Sequence, residues 1–144
     1  MPYVLKESDG VVDLIQSDCE NCLYDATLRH LVPVFRHRDL GIVNASPLCM
    51  GLLTNAGPPA SHPAPDKRKL AARSAAAFCE ERNTDLSKVA LQYALSDRNM
   101  DSTIVDIESV ETLRSCLNAA SETTDKDLLD GVLKIFEPVR ISVL

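Results

Sequence analysis

The chain of 144 residues has no tryptophan, and only three tyrosines and three phenylalanines. It therefore offers little aromatic surface on which bases or sugars could stack. Basic residues are the minority, 15 Lys and Arg against 21 Asp and Glu, for a net charge of −6. That balance argues against nucleic acid as the main partner. No apolar run approaches the ~18–20 residues of a membrane span. The first thirty residues lack a basic stretch followed by an apolar one, so no secretory signal is read and the cytosol is the expected compartment. Five cysteines is an odd number. Without an export signal they read as free, mostly buried thiols and not as a disulfide framework. A hydrophobic content of 45% is enough for the core of one ordinary domain.

Three short apolar runs read as strands, near residues 11–16 (VVDLIQ), 41–45 (GIVNA) and 102–107 (STIVDI). Each is mostly continuous, not alternating, which is the pattern of parallel strands buried on both faces. Helical patterns lie between and after them. Asp25 reads as the cap of a helix bearing Leu28, Leu31, Val32 and Phe35, with Pro33 forcing a kink or a late start. A long helix is expected from about Asp66 to Arg82 and another from Asp85 to Asp97. Ser109 opens a fourth, and Thr124 with Asp127 reads as a capping box for a fifth that Pro138 stops. Residues 2–6 (PYVLK) read as the tail of a helix. The order predicts right-handed parallel crossovers in an α/β fold. Residues 46–65 hold five of the eight prolines and form a long loop at the carboxyl edge of the sheet, where function concentrates. A three-stranded sheet leaves two open edges, so the chain reads as a piece of a larger α/β protein.

Several residues invite chemistry. Cys19 and Cys22 form a CxxC with His30 and His37 beyond. Two histidines seven apart on a helix lie ~10 Å apart along its axis, too far to share a zinc whose ligands sit ~2 Å away; no metal site is expected. The flanking Asp18, Glu20 and Asp25 are expected to raise the thiol pKa values, against a redox role. Asp13, Glu20, Asp25, Asp106 and Glu108 sit near strand ends, but with 21 acids in the chain they read first as solvated or capping groups. His62 reads as a loop-packing residue. Asn44-Ala45-Ser46-Pro47-Leu48, at a strand's carboxyl end, could offer a hydroxyl and backbone N–H groups to a phosphate.

The stretch from Asn44 to Thr54, NASPLCMGLLT, closely resembles a segment of the aldo-keto reductase family. Gly57-Pro58-Pro59, His62-Pro63-Ala64, Leu91-Gln92-Tyr93-Ala94-Leu95 and residues 17–25 are similar to its L-galactose dehydrogenase-like branch, over about residues 3–140. The resemblance implies a partial TIM (β/α)8 barrel, its last three strands with their helices, as a single incomplete domain over 1–144. It implies NADP or NAD as cofactor and a small-molecule sugar or carbonyl as substrate, with oxidation of an aldose such as L-galactose as the reaction. The family's catalytic Asp, Tyr, Lys and His lie on its first four strands, and no position here matches them, so no catalytic residue is assigned. Ser46 and Leu48 match positions that hold the pyrophosphate, Gly51 the loop folded over it, and Thr112 a position facing the adenosine phosphate. Ser115-Cys116 stand where the family has a Glu-Asn pair at the adenosine. Asp106 and Glu108 would put negative charge where a phosphate is expected, which opposes cofactor binding. The expectation is thus a truncated, inactive reductase. The alternative is a non-catalytic half-barrel binding or assembly module completed by a partner chain, and self-association through the open sheet edges is expected.

Overall fold

The structure, a computed structural model, describes residues 10–141; the segment 2–6 lies outside them. Three strands, β1 (Leu14–Asp18), β2 (Gly41–Ala45) and β3 (Ser102–Ile104), form one parallel sheet in sequence order. Five α-helices accompany them: α1 (Leu28–Arg36), α2 (Asp66–Glu80), α3 (Leu86–Ser96), α4 (Val110–Ser121) and α5 (Lys126–Phe136), the last followed by a 3₁₀ turn over Glu137–Val139. Sequential, all-parallel strands joined by helices are the arrangement of consecutive units of a β/α barrel.

The three predicted strands are present, with two corrections. β1 begins three residues later than expected, where Gly41 N–H donates to Asp13 O at 2.9 Å and fixes the register Leu14↔Gly41. β3 is cut to three residues. Only β2 is covered on both faces. β1 and β3 are edge strands with alternating exposure. One sheet face packs on α1: Ile15 and Ile42 join Leu28, Val32, Phe35 and Leu40 in a small core. The opposite face carries Leu14 and Ile104, exposed by 53% and 46%. Of the apolar residues in and beside the two edge strands, these two are bare, Val12 and Val105 are half-buried, and Ile15 is covered.

The larger core lies among α2, α3, α5 and the segment 48–53, with Leu52, Leu53, Leu86, Val132 and Phe136 fully enclosed. α2 is rich in alanine and presents Ala72, Ala75 and Ala76 inward, which lets its neighbours approach closely. Gly131 on α5 serves the same end: a Cβ there would stand 2.3 Å from the Phe78 ring of α2.

Helix starts follow cap chemistry with local shifts. Asp85 Oδ1 accepts from Ser87 N–H at 2.7 Å, and Ser109 Oγ from Thr112 N–H at 3.0 Å. For α5 the cap is Asp125 and not Thr124: its Oδ1 accepts from Leu128 N–H at 3.1 Å. Asp25 does not cap α1 directly. It turns the chain just before it, accepting from the N–H and hydroxyl of Thr27 at 2.9 and 2.7 Å. The helix then starts late, at Leu28, with Pro33 inside it. Among the described residues no helix is long and apolar enough to cross a membrane.

Candidate functional site

The carboxyl edge of the sheet is built from the ends of β1 and β2 and the loop that follows β2. Four of the six non-glycine residues with positive φ among the described residues lie here: Cys19, Ser46, Cys49 and Met50. Each costs of order 1–3 kcal/mol if unsupported, and such residues cluster at functional sites. His62 supplies support. It is buried, its Nδ1 accepts Ala64 N–H at 3.1 Å, and its Nε2 lies 2.9 Å from Cys49 O. With Nδ1 accepting, the proton sits on Nε2 and donates to that carbonyl. The packing role expected of His62 is thereby given a definite form.

Ser46, Leu48, Gly51 and Thr112 all line one cavity of about 260 Å³, together with Asp106 and Glu108. The loop after β2 delivers the first three and the N-terminal turn of α4 the fourth. Leu48 and Thr112 also line an adjoining hollow of about 310 Å³, bounded by Ser115, Cys116 and the ion pair Lys88–Glu122. The two make a continuous groove from the sheet edge to the α3–α4 face. A larger hollow of about 530 Å³ lies between residues 54–60 and Lys69 and Arg73 of α2; Leu52, Thr54 and Gly57-Pro58-Pro59 of the family-like stretches line it, but Ser46, Leu48, Gly51 and Thr112 do not.

The groove's polar groups differ from the free phosphate donors expected at Ser46. Its N–H donates to Ile104 O at 3.2 Å and its hydroxyl to Asp18 Oδ1 at 3.2 Å. Both are spent within the protein, and Asp18 joins Asp106 and Glu108 as a third carboxylate near the cavity. Of the remaining acids, Asp25 is buried as a turn-former and Glu20 accepts the Ser17 hydroxyl.

The cysteines depart furthest from expectation. The Cys19 pKa is lowered, because a hydrogen bond with the Cys49 thiol outweighs burial and the repulsion of Asp18, Asp25 and Glu20. The acids do oppose ionisation, as expected, but they are the smaller influence. The Cys49 thiol is pushed up by its hydrogen bonds with Cys19 and Cys22 and by burial. Burial likewise raises the Tyr24 phenol. No sequence signal had joined Cys49 to the CxxC; the hint was its place three residues after the serine that directly follows β2. All five cysteines are free. His30 and His37 are exposed on and after α1, and among the described residues no group of three or more His, Cys, Asp or Glu could hold a metal.

Fold and groove together define an α/β protein built like part of a β/α barrel, with a cavity at the sheet's carboxyl edge. The chain belongs to the aldo/keto reductase family, whose model matches residues 4–135. It is 38% identical over 143 positions to L-galactose dehydrogenase of Arabidopsis thaliana, covering 96% of this chain and 45% of that protein. It is 32% identical over 117 positions to D-arabinose 1-dehydrogenase of Saccharomyces cerevisiae, covering 78% of this chain and 35% of that protein. The chain thus spans less than half the length of these relatives. Among solved structures, the holo form of aldo-keto reductase AKR11C1 from Bacillus halodurans matches with a TM-score of 0.61 at 19% identity, over 93% of this chain and 46% of that one. The fold is therefore that of part of an aldo-keto reductase barrel.

Proposed function

We propose that residues 1–144 act as the cofactor-side part of a single aldo-keto reductase domain, holding NADP or NAD weakly along the groove and not turning over a sugar alone. The observation that supports this reading is the convergence of Ser46, Leu48, Gly51 and Thr112 on one cavity that continues to Ser115 and Cys116. The pyrophosphate would lie against Ser46 and Leu48 under Gly51, and the adenosine against the α3–α4 hollow. The cofactor supplies a hydride acceptor at its nicotinamide when bound. The chain's own residues bind and orient it. Asp18, Asp106 and Glu108 oppose the phosphates, so affinity is held low. The parent reaction, by kinship with the two sugar dehydrogenases, is oxidation of an aldose such as L-galactose. Acid–base groups for that step have no assigned position in this chain.

Titration of NADH and NADPH by fluorescence or calorimetry tests the reading. Saturable binding is expected, strengthened on the order of 5-fold by Asp106→Asn, as removal of one nearby surface charge is worth up to ~1 kcal/mol, and weakened by Thr112→Trp, which fills the groove without adding charge. Undetectable binding in both wild type and Asp106→Asn would refute it. So would robust turnover of L-galactose by the chain alone. A second reading, a half-barrel module completed by a partner chain, is favoured by the bare Leu14 and Ile104 on the sheet face away from α1.

A further inference from the structure

Three thiols meet at the carboxyl ends of β1 and β2, and the dinucleotide reading uses none of them. Cys19 directly follows β1, and Cys49 lies four residues past the end of β2. Both converge on a single atom. The carbonyl oxygen of Ser46 accepts the Cys49 N–H at 2.8 Å and the Cys19 thiol at 3.6 Å. The Cys19 backbone is fixed from the same side, its N–H donating to Ala45 O at 3.1 Å. The Cys22 thiol, which donates to Cys19 O at 3.3 Å, also neighbours Cys49 but is buried, so Cys19 is the thiol of the three that solvent reaches.

The two converging residues differ in access. Cys19 is half-exposed and Cys49 is buried. Both sit in loop backbone at positive φ, outside the strand ladder. The shared Ser46 carbonyl holds the Cys19 sulfur and the Cys49 backbone in one hydrogen-bonded shell, so a cystine between them calls for adjustment of the loop backbone and not of the sheet. An accessible sulfur backed by a buried one is the layout of an attacking and a resolving thiol. The remaining cysteines lack it: Cys79 sits in the α2 core, its thiol pushed up to about 11 by burial, and Cys116 lies on α4.

We propose that Cys19 and Cys49 form a reversible disulfide when the chain meets a peroxide. The Cys19 thiolate attacks one peroxide oxygen. A sulfur–oxygen bond forms, the oxygen–oxygen bond breaks, and the departing hydroxide takes up the proton Cys19 released, giving water and a sulfenic acid. The Cys49 sulfur then attacks the Cys19 sulfur. A sulfur–sulfur bond forms, the sulfur–oxygen bond breaks, and the hydroxyl leaves with the Cys49 proton as a second water. Two thiols are oxidised by two electrons in all, and one peroxide is reduced to two waters; a dithiol reverses the bond by exchange. Cys49 walls the cavity beside Ser46 and Gly51, so the bond tethers that wall to the end of β1.

The test treats the reduced full chain with limiting hydrogen peroxide, alkylates the remaining thiols and maps the peptides by mass spectrometry. The expected result is loss of two of the five thiols, a Cys19–Cys49 cross-linked peptide, and full recovery with dithiothreitol. In Cys49→Ala, or Cys49→Ser should the first not fold, Cys19 is expected to persist as a sulfenic acid that dimedone traps. A Cys19–Cys22 or Cys22–Cys49 bond, an intermolecular link, or oxidation of Cys116 with Cys19 left fully alkylated would overturn the proposal. The outcome is independent of whether any dinucleotide binds.

Discussion

The sheet face that carries Leu14 and Ile104 should drive concentration-dependent self-association. Burying a Leu or Ile side chain fully is worth ~1.5–3 kcal/mol, and these two are exposed by 53% and 46%. About half of that gain, roughly 0.7–1.5 kcal/mol per side chain, is still available. Two such residues on each of two copies give roughly 3–6 kcal/mol gross. Association costs at least ~4 kcal/mol in lost freedom, so the apolar term alone leaves at most ~2 kcal/mol, a Kd no tighter than roughly 30 mM. The outer edges of β1 and β3 are open among the described residues, and their N–H and C=O groups can add strand pairing to it. Sedimentation across the micromolar range should therefore show a mass rising above the 15.7 kDa of one chain, with weakly cooperative melting. Leu14→Lys with Ile104→Lys removes the apolar gain and sets like charges against each other, and should return the mass to that of a monomer. A wild-type chain that stays monomeric at hundreds of micromolar, and melts sharply, would refute the reasoning.

Phe35→Ala should cost about 3–5 kcal/mol, because its ring is fully enclosed between α1 and the sheet; urea unfolding reads this directly. Asp85→Ala should destabilise α3 by about 0.5–2 kcal/mol through loss of its cap, with Asn55 Oδ1, which accepts from Leu86 N–H at 2.9 Å, limiting the damage. Asp101 accepts two N–H bonds from Arg36 and one from Ile42, and the Arg36 guanidinium holds its pKa below the ordinary carboxylate value. Its stabilisation is thus fully present above the unfolded pKa of ~3.9 and is lost as pH falls through the lower folded value. Melting temperatures measured between mild and strong acid should fall less steeply in Asp101→Asn than in wild type.

The parallel order of the strands was legible because continuous apolar runs alternated with helical periods. The exposed face was only half legible. Leu14 and Ile104 look like core residues, and nothing local says which side of a sheet finds cover. The caps erred by a residue where two candidates stood together, Thr124 beside Asp125, since either side chain can reach the first free N–H groups. For the candidate site, the motif from Asn44 to Thr54 was enough to bring Ser46, Leu48 and Gly51 to one wall. The engagement of the Ser46 hydroxyl by Asp18 depends on the register Asp18↔Ala45, a contact between residues 28 apart. The cysteine cluster was missed for the same reason: Cys19 and Cys49 are neighbours only once two parallel strands end side by side.

The hydrogen bond from His62 to Cys49 O has a consequence for tolerance to cutting and insertion. It closes the segment between them into a ring, with the cavity wall on one side and Pro59, Ala60 and Ser61 exposed at the tip. A protease that nicks the tip would leave His62 still anchored to Cys49 and to Ala64, and both ends still packed in the core. Added residues there would lengthen the ring at only ~0.6 kcal/mol per doubling of its length. The tip is thus the place where this chain can vary in length while the shape of the groove is preserved.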